Sequence, residues 1–163
     1  MIEKLIKKIA FNLDKAKIPY MIIGGQAVLL YGVPRLTRDI DITLGIDTDE
    51  LFLIEDICKK LKLRILVPNP KDFARETKVL PAEEAELKIR LDFIFSFTFY
   101  EKQAIIRAKK VKMNGYSVKF ASCEDVIIHK MFAARAIDEE DIKNILIKNR
   151  YNVDFKYIKK WLS

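Results

Sequence analysis

Cysteine, histidine and tryptophan are almost missing from this chain: among 163 residues there are two Cys, one His and one Trp. Cys58 and Cys123 each fall in a helical pattern with no second Cys or His at metal-ligand spacing, so a thiolate or imidazole metal cage is not expected. They read as reduced thiols, in keeping with a cytoplasmic protein. Glycine and proline are sparse, at five each, and half of the residues are hydrophobic, which excludes a disordered or low-complexity chain. No apolar run is long enough to cross a bilayer. The first residues, MIEKLIKKIAFNLDKAKIP, carry charges every few positions where a signal peptide would carry an apolar core and a small-residue cleavage site, so no membrane partner is expected.

Acid is missing from one stretch. From Lys102 to Lys119 there are six basic residues (Lys102, Arg107, Lys109, Lys110, Lys112, Lys119) and no Asp or Glu, within a net charge of +7. Such a run can follow a nucleic-acid backbone, or it is the solvated face of a hairpin in a Lys-rich protein.

What is present is mostly periodic. Ile2, Leu5, Ile6, Ile9 and Leu13 predict a helix over Met1 to Lys17, ending before Pro19. A short buried strand, Tyr20 to Ile23, runs into Gly24-Gly25, and Gln26 to Tyr31 resumes helical spacing until Gly32 and Pro34. Asp47 or Thr48 can cap a helix carried by Leu51, Ile54, Ile57, Cys58 and Leu61. A short strand is expected near Arg64 to Val67, and Lys71 to Ala85 gives no assignable pattern. Val111 to Met113 and Tyr116 to Phe120 flank Asn114-Gly115, the signal of a hairpin with a type I′ turn. Ser122 and Asp125 resemble a capping box opening a helix through Val126, Ile127, Lys130 and Met131. Asp138 opens another with Ile142, Ile145 and Leu146, and a last one carries Phe155, Ile158 and Trp161. No repeat or linker divides the chain, so a single α+β domain over 1–163 is expected, helical from about 122 onwards.

The chemistry lies in two strands with one polar face. In Asp39 to Leu44, Ile40, Ile42 and Leu44 alternate with Asp39, Asp41 and Thr43, so both carboxylates project from the same side roughly 6–7 Å apart. Two like charges that close make sense around a cation, and hard oxygen ligands suit Mg2+ or Mn2+ shared with substrate phosphates. Leu87 to Phe95 alternates in the same way and carries Asp92 on its polar side, able to join the pair if the strands are neighbours. Three carboxylates would serve a two-metal phosphoryl-type transfer. Gly24-Gly25, at a strand end and a helix start, lets bare backbone and N–H groups approach phosphate.

The segment IIGGQAVLLYGVPRLTRDIDITL resembles the signature of the DNA polymerase beta-like nucleotidyltransferases: a Gly-Gly or Gly-Ser turn, a helix, then Asp-x-Asp. LDFIF around Asp92 is similar to that superfamily's third-carboxylate strand, and HKMFAARAIDEEDIKNIL to the C-terminal motif of the AbiEii-type toxin nucleotidyltransferases. The resemblance implies a mixed β-sheet flanked by helices. It also implies catalytic and metal-binding roles for Asp39, Asp41 and Asp92, with contacts to a nucleoside triphosphate from Gly24, Gly25 and Lys130; Arg38, just ahead of the Asp pair, can add a phosphate contact. It further implies transfer of a nucleotidyl group to a hydroxyl, the acceptor being RNA such as a tRNA end, a protein or a small molecule, and a cognate antitoxin as partner. An inactive binding module of the same fold is the alternative.

Plainer readings stand beside these. Asp92 can pair with Lys88 or Arg90, and Lys130 can be a snorkelling lysine. Arg35, Thr37 and Arg38 can be solvated loop. Asp138 and Asp141 read as helix-start acids with Arg135 as an ion-pair partner, His129 as a half-buried filler, and Trp161 as core.

Overall fold

The computed structural model describes residues 2–32, 37–96, 98–133 and 136–162, the side chains of 136 and 137 excepted. Leu5, Ile6, Ile9, Ala10 and Leu13 form the buried stripe of α1 (Ile2–Lys15). A left-handed Lys17 ends the helix and feeds β1 (Tyr20–Ile23), buried along its whole length. Next come α2 (Gly24–Tyr31) and β2 (Asp39–Leu44). In the turn that follows, the Asp47 carboxylate accepts from the Thr48 N–H at 2.6 Å before α3 (Leu51–Lys60).

Then follow β3 (Arg64–Ile65), α4 (Pro70–Thr77), β4 (Val79–Glu84), β5 (Ile89–Phe95), α5 (Phe99–Ile106), β6 (Lys109–Met113) and β7 (Tyr116–Phe120). Asn114 and Gly115 both take positive φ, 50° and 78°, between β6 and β7, as a type I′ turn requires. Three helices close the chain: α6 (Cys123–Ala133), α7 (Ala136–Asn149) and α8 (Phe155–Leu162). The expected cap of α6 forms, with the Asp125 N–H donating to Ser122 Oγ at 3.1 Å and the Ser122 hydroxyl donating to the Asp125 carboxylate at 2.7 Å.

Among the described residues seven strands make one mixed sheet in the order β3-β4-β5-β2-β1-β7-β6. β2 is central, parallel to β5 and antiparallel to β1, and β1 runs parallel to β7. Strand alternation then sorts the side chains. Tyr20, Ile22, Ile40, Ile42, Leu44, Leu91, Phe93 and Phe95 fill one face. Helix α1 packs there, its Phe11 ring 5.9 Å from Tyr116 and its Asp14 accepting the Tyr116 hydroxyl. The other face carries Ile23, Asp41, Asp92 and Ile94 and meets α2 and α6. This is the mixed sheet flanked by helices expected from the sequence, an α+β arrangement with a helical C-terminal segment.

The segment without a sequence pattern, Lys71 to Ala85, is α4 and β4. PKDFARET buries only Ala74, so its helical period leaves no apolar stripe, although Pro70 occupies the first turn where proline is favoured. Pro81 lies inside β4, opposite Asp92 on β5, a place where proline normally argues against a strand. Among the described residues no helix is long and apolar enough to cross a membrane.

Candidate active site

Parallel pairing of β2 with β5 sets Asp41 directly opposite Asp92, and antiparallel pairing sets Ile23, the last residue of β1, opposite Asp41 on the other side. Gly24 follows at φ +68°, a left-handed conformation that disfavours any side chain, and a Cβ there would collide with Asp41 Oδ2. A Cβ on Gly25 would lie 2.6 Å from Thr37 Oγ1. Bare backbone at both positions therefore lets the Asp41 carboxylate and the chain before β2 press against the start of α2. No side chain caps that helix, and its first turn holds no acid, so its N–H groups stay open to an anion.

The electrostatics are crowded. Burial pushes the Asp41 carboxyl up to about 6 from its ordinary 3.8, the charges of Asp92 and Asp39 push the same way, and a hydrogen bond shared with Asp92 adds to it; Lys130 opposes them. Asp92 also holds Arg90, with Nη2 at 3.2 Å from Oδ1, so its plainer reading as an ion-pair partner is realised while it faces Asp41. Asp39 is exposed, one strand repeat nearer the start of β2, and its backbone carbonyl accepts from the Gln26 amide at 3.3 Å. Among the described residues no three His, Cys, Asp or Glu side chains close on a point that could hold a metal by themselves. The tight part of the cluster is the Asp41–Asp92 pair.

Lys130 is neither exposed nor snorkelling. Its side chain is 7% exposed, and its ammonium group donates to Asp138 at 2.9 Å and contacts Asp141 at 3.1 Å. Those acids are three residues apart on one face of α7, so they serve as more than helix-start charges. Arg135, the partner expected for them, and Arg35 lie outside the described residues. Lys130 lines a cleft of about 220 Å³ with Ile23, Gly24, Asp41, His129 and Asp138. The half-buried His129 has Nδ1 at 2.8 Å from the Asp125 carbonyl, which can only accept, so Nδ1 carries the proton.

Arg38 goes elsewhere. The alternation that turns Asp39 and Asp41 to one side turns residue 38 to the other, and its guanidinium donates to the Leu87 carbonyl at 3.2 Å. Asp138, at the cleft, and Asp141 beside it have a role that the sequence hides. Their i, i+3 spacing was visible, but the Lys130 opposite them comes from another helix.

The family described as nucleotidyltransferase of unknown function (DUF6036) matches residues 1–162. The chain belongs to that family. Solved structures share this nucleotidyltransferase's fold. The antibiotic-resistance factor ANT(2'')-Ia is 20% identical over 89% of this chain and 82% of that one, with a TM-score of 0.63. An antigenic nucleotidyltransferase-like protein from Paracoccidioides brasiliensis is 18% identical over 93% and 76%, also at 0.63. The lincosamide antibiotic adenylyltransferase LnuA is 18% identical over 82% and 89%, at 0.54. No curated protein matches the nucleotidyltransferase.

Proposed function

We propose that this nucleotidyltransferase moves a nucleoside monophosphate from a nucleoside triphosphate to a hydroxyl of an RNA acceptor such as a tRNA end, in the cytoplasm and as one domain over 1–163. The observation that carries the reading is the facing pair Asp41 and Asp92, set against a glycine turn whose helix start has no side-chain cap. Two half-buried carboxylates facing each other, with Asp41 holding its proton more tightly than an ordinary aspartate, suit a divalent cation, and Mg2+ or Mn2+ binds through one or two carboxylates plus substrate phosphates without a closed protein cage. In this reading Asp41 and Asp92 are the principal ligands, with Asp39 reaching in from the rim. Bound there, the cation would neutralise charge on the reacting phosphates and on the attacking oxygen.

The chain's own groups do the positioning. N–H groups from Gly24 onward receive triphosphate oxygens, and Gly25 keeps that approach free of side chain. Lys130, held by Asp138 and Asp141, supplies a fixed positive charge to the cleft wall. The acceptor oxygen bonds to the α-phosphorus, the bond to the bridging oxygen breaks, pyrophosphate leaves, and Asp92 takes the hydroxyl proton. Arg38 would have to leave Leu87 to touch phosphate, so we assign it no part in this step. The resemblance of HKMFAARAIDEEDIKNIL to toxin nucleotidyltransferases makes a cognate antitoxin a further partner in the proposal.

The test is incubation with each labelled nucleoside triphosphate, Mg2+ or Mn2+, and total RNA, comparing the wild type with Asp41→Ala. Label transfer that depends on Asp41 supports the reading. Equal transfer by both proteins, or none by either, favours the inactive binding module instead.

A further inference from the structure

The cleft beside Asp41 is small. Its volume of about 220 Å³ is under the roughly 300–1,000 Å³ of pockets that enclose whole ligands, so it can house phosphates and a metal but not the rest of a nucleotide or an acceptor. Whatever else binds must lie on the surface next to it.

That surface is aromatic. Phe99 and Phe132 are 69% and 62% exposed, and what marks them is the ring cluster they adjoin. They flank a packed cluster, in which Tyr100 lies 5.1 Å from Trp161, 6.4 Å from Phe132 and 5.7 Å from His129, and Phe99 lies 6.0 Å from Trp161. His129 is the link, because it also lines the acidic cleft, and Phe132 is one helical turn beyond it on α6. The cluster is anchored from below. The Tyr100 and Tyr157 hydroxyls both donate to the fully buried Asp125 at 2.7 Å, and the Arg107 guanidinium sits 3.7 Å over the Tyr157 ring. An exposed aromatic surface on so rigid a base is a platform and not a loose end.

Exposed lysines share its helices. Lys102 on α5 and Lys156, Lys159 and Lys160 on α8 are all exposed, and Lys160 Nζ lies 5.2 Å from the Trp161 ring. Aromatic rings interleaved with lysines are the arrangement that holds single-stranded nucleic acid, with bases on the rings and phosphates on the cations.

We infer that Phe99, Tyr100, Phe132 and Trp161 form the acceptor subsite, on which bases near the end of a single-stranded RNA stack while its terminal hydroxyl enters the cleft at Asp41. This deepens the proposed function and rests on it only for the identity of the reacting end; the binding itself needs neither metal nor triphosphate.

Trp161 is the chain's single tryptophan, so its emission reports on the platform directly. Metal-free protein is titrated with 12-nucleotide single-stranded oligoadenylate and oligouridylate at low and moderate salt. Quenching of the tryptophan emission is expected, with affinity falling steeply as salt rises. Phe99→Ala and Phe132→Ala should each weaken binding by about 5- to 100-fold, the range for losing one stacked base, with unchanged circular dichroism and melting temperature. Asp92→Asn should still bind the oligonucleotides while losing transfer, whereas a wild-type protein that stacks RNA but transfers nothing would sink the catalytic proposal and leave this one standing. Unquenched Trp161 emission, or unchanged affinity in the Phe99→Ala/Phe132→Ala double variant, overturns the subsite. So does a doubling of mass in sedimentation that Phe99→Ala abolishes, which would make the patch a contact between copies of the chain.

Discussion

Asp41→Asn should make the metal-free protein more stable at the same pH where it is expected to abolish transfer. Asp41 ionises at about 6 where an unhindered aspartate ionises at 3.8, chiefly because it is buried and next because Asp92 and Asp39 are charged beside it. A gap of that size corresponds to about 3 kcal/mol of unfavourable free energy once the group is charged, at roughly 1.4 kcal/mol per pH unit. The folded state holds the proton more tightly than the unfolded one, so this contribution to stability is fully present below pH 3.8, declines as the pH rises, and is gone above about 6. Asparagine has nearly the same shape and no charge to impose. At pH 8 the variant should therefore gain up to about 3 kcal/mol over the wild type, roughly 6–12 °C in melting temperature for a chain of this size. At pH 4 the gain should vanish.

The assay is urea or thermal unfolding of both proteins, without metal, from pH 4 to pH 8, followed by a repeat at pH 8 with Mn2+. The quantity to read is the difference between the two proteins, because the other carboxylates titrate in both. Added Mn2+ should stabilise the wild type in proportion to its binding, and the variant much less. An Asp41→Asn protein that melts at or below the wild-type temperature at pH 8, with a difference that does not change with pH, would refute the argument that these carboxylates crowd each other.

Gly24→Ala should destabilise the protein by well over 1 kcal/mol and abolish transfer, since the new methyl meets Asp41 in addition to the strained φ of +68°. Gly115→Ala, at φ +78° with no atom within 4 Å, is the matched control and should lose only about 1 kcal/mol and keep activity, as urea titration and the transfer assay would show. Lys130→Met removes the cation shared by the buried Asp138 and Asp141 and should cost roughly 3–5 kcal/mol. Adding Asp138→Asn and Asp141→Asn to it removes the two buried charges as well and should recover part of that loss in urea titration. Burial pushes the Cys58 and Cys123 thiols up to about 12, so both should react slowly with a thiol-specific disulfide reagent at pH 8 in the native protein and fast in urea.

Strand alternation made half of this site legible in the sequence and concealed the other half. A period of two states which side chains share a face, so Asp39, Asp41 and Asp92 could be set on polar sides before any strand pairing was known. The same rule, carried one residue back, turns residue 38 away from them, and Arg38 bonds Leu87. It was its place beside the Asp pair in the chain, not its face, that had suggested phosphate. What alternation cannot supply is the partner of a charge on a different element. Lys130 looked like a surface lysine among apolar neighbours because the acids that allow its burial stand on α7, and α6 and α7 meet only through the tertiary fold. The segment PKDFARET failed for the opposite reason, since a helix burying one alanine has no apolar stripe to betray it.

The charges across the cleft follow a sequence of their own. Asp92 is balanced by Arg90, Lys130 by Asp138 and Asp141, and Asp41 lies between them with a net excess of negative charge around it. A site built only for stability would have placed a cation against Asp41 or replaced it with an apolar residue, because both choices remove the ionisation penalty. Keeping the carboxylate there, against backbone that only glycine allows, is a standing cost that a bound divalent cation would relieve. If Mn2+ raises the melting temperature of the wild type no more than that of Asp41→Asn, that relief does not occur and the cluster must owe its place to something other than metal.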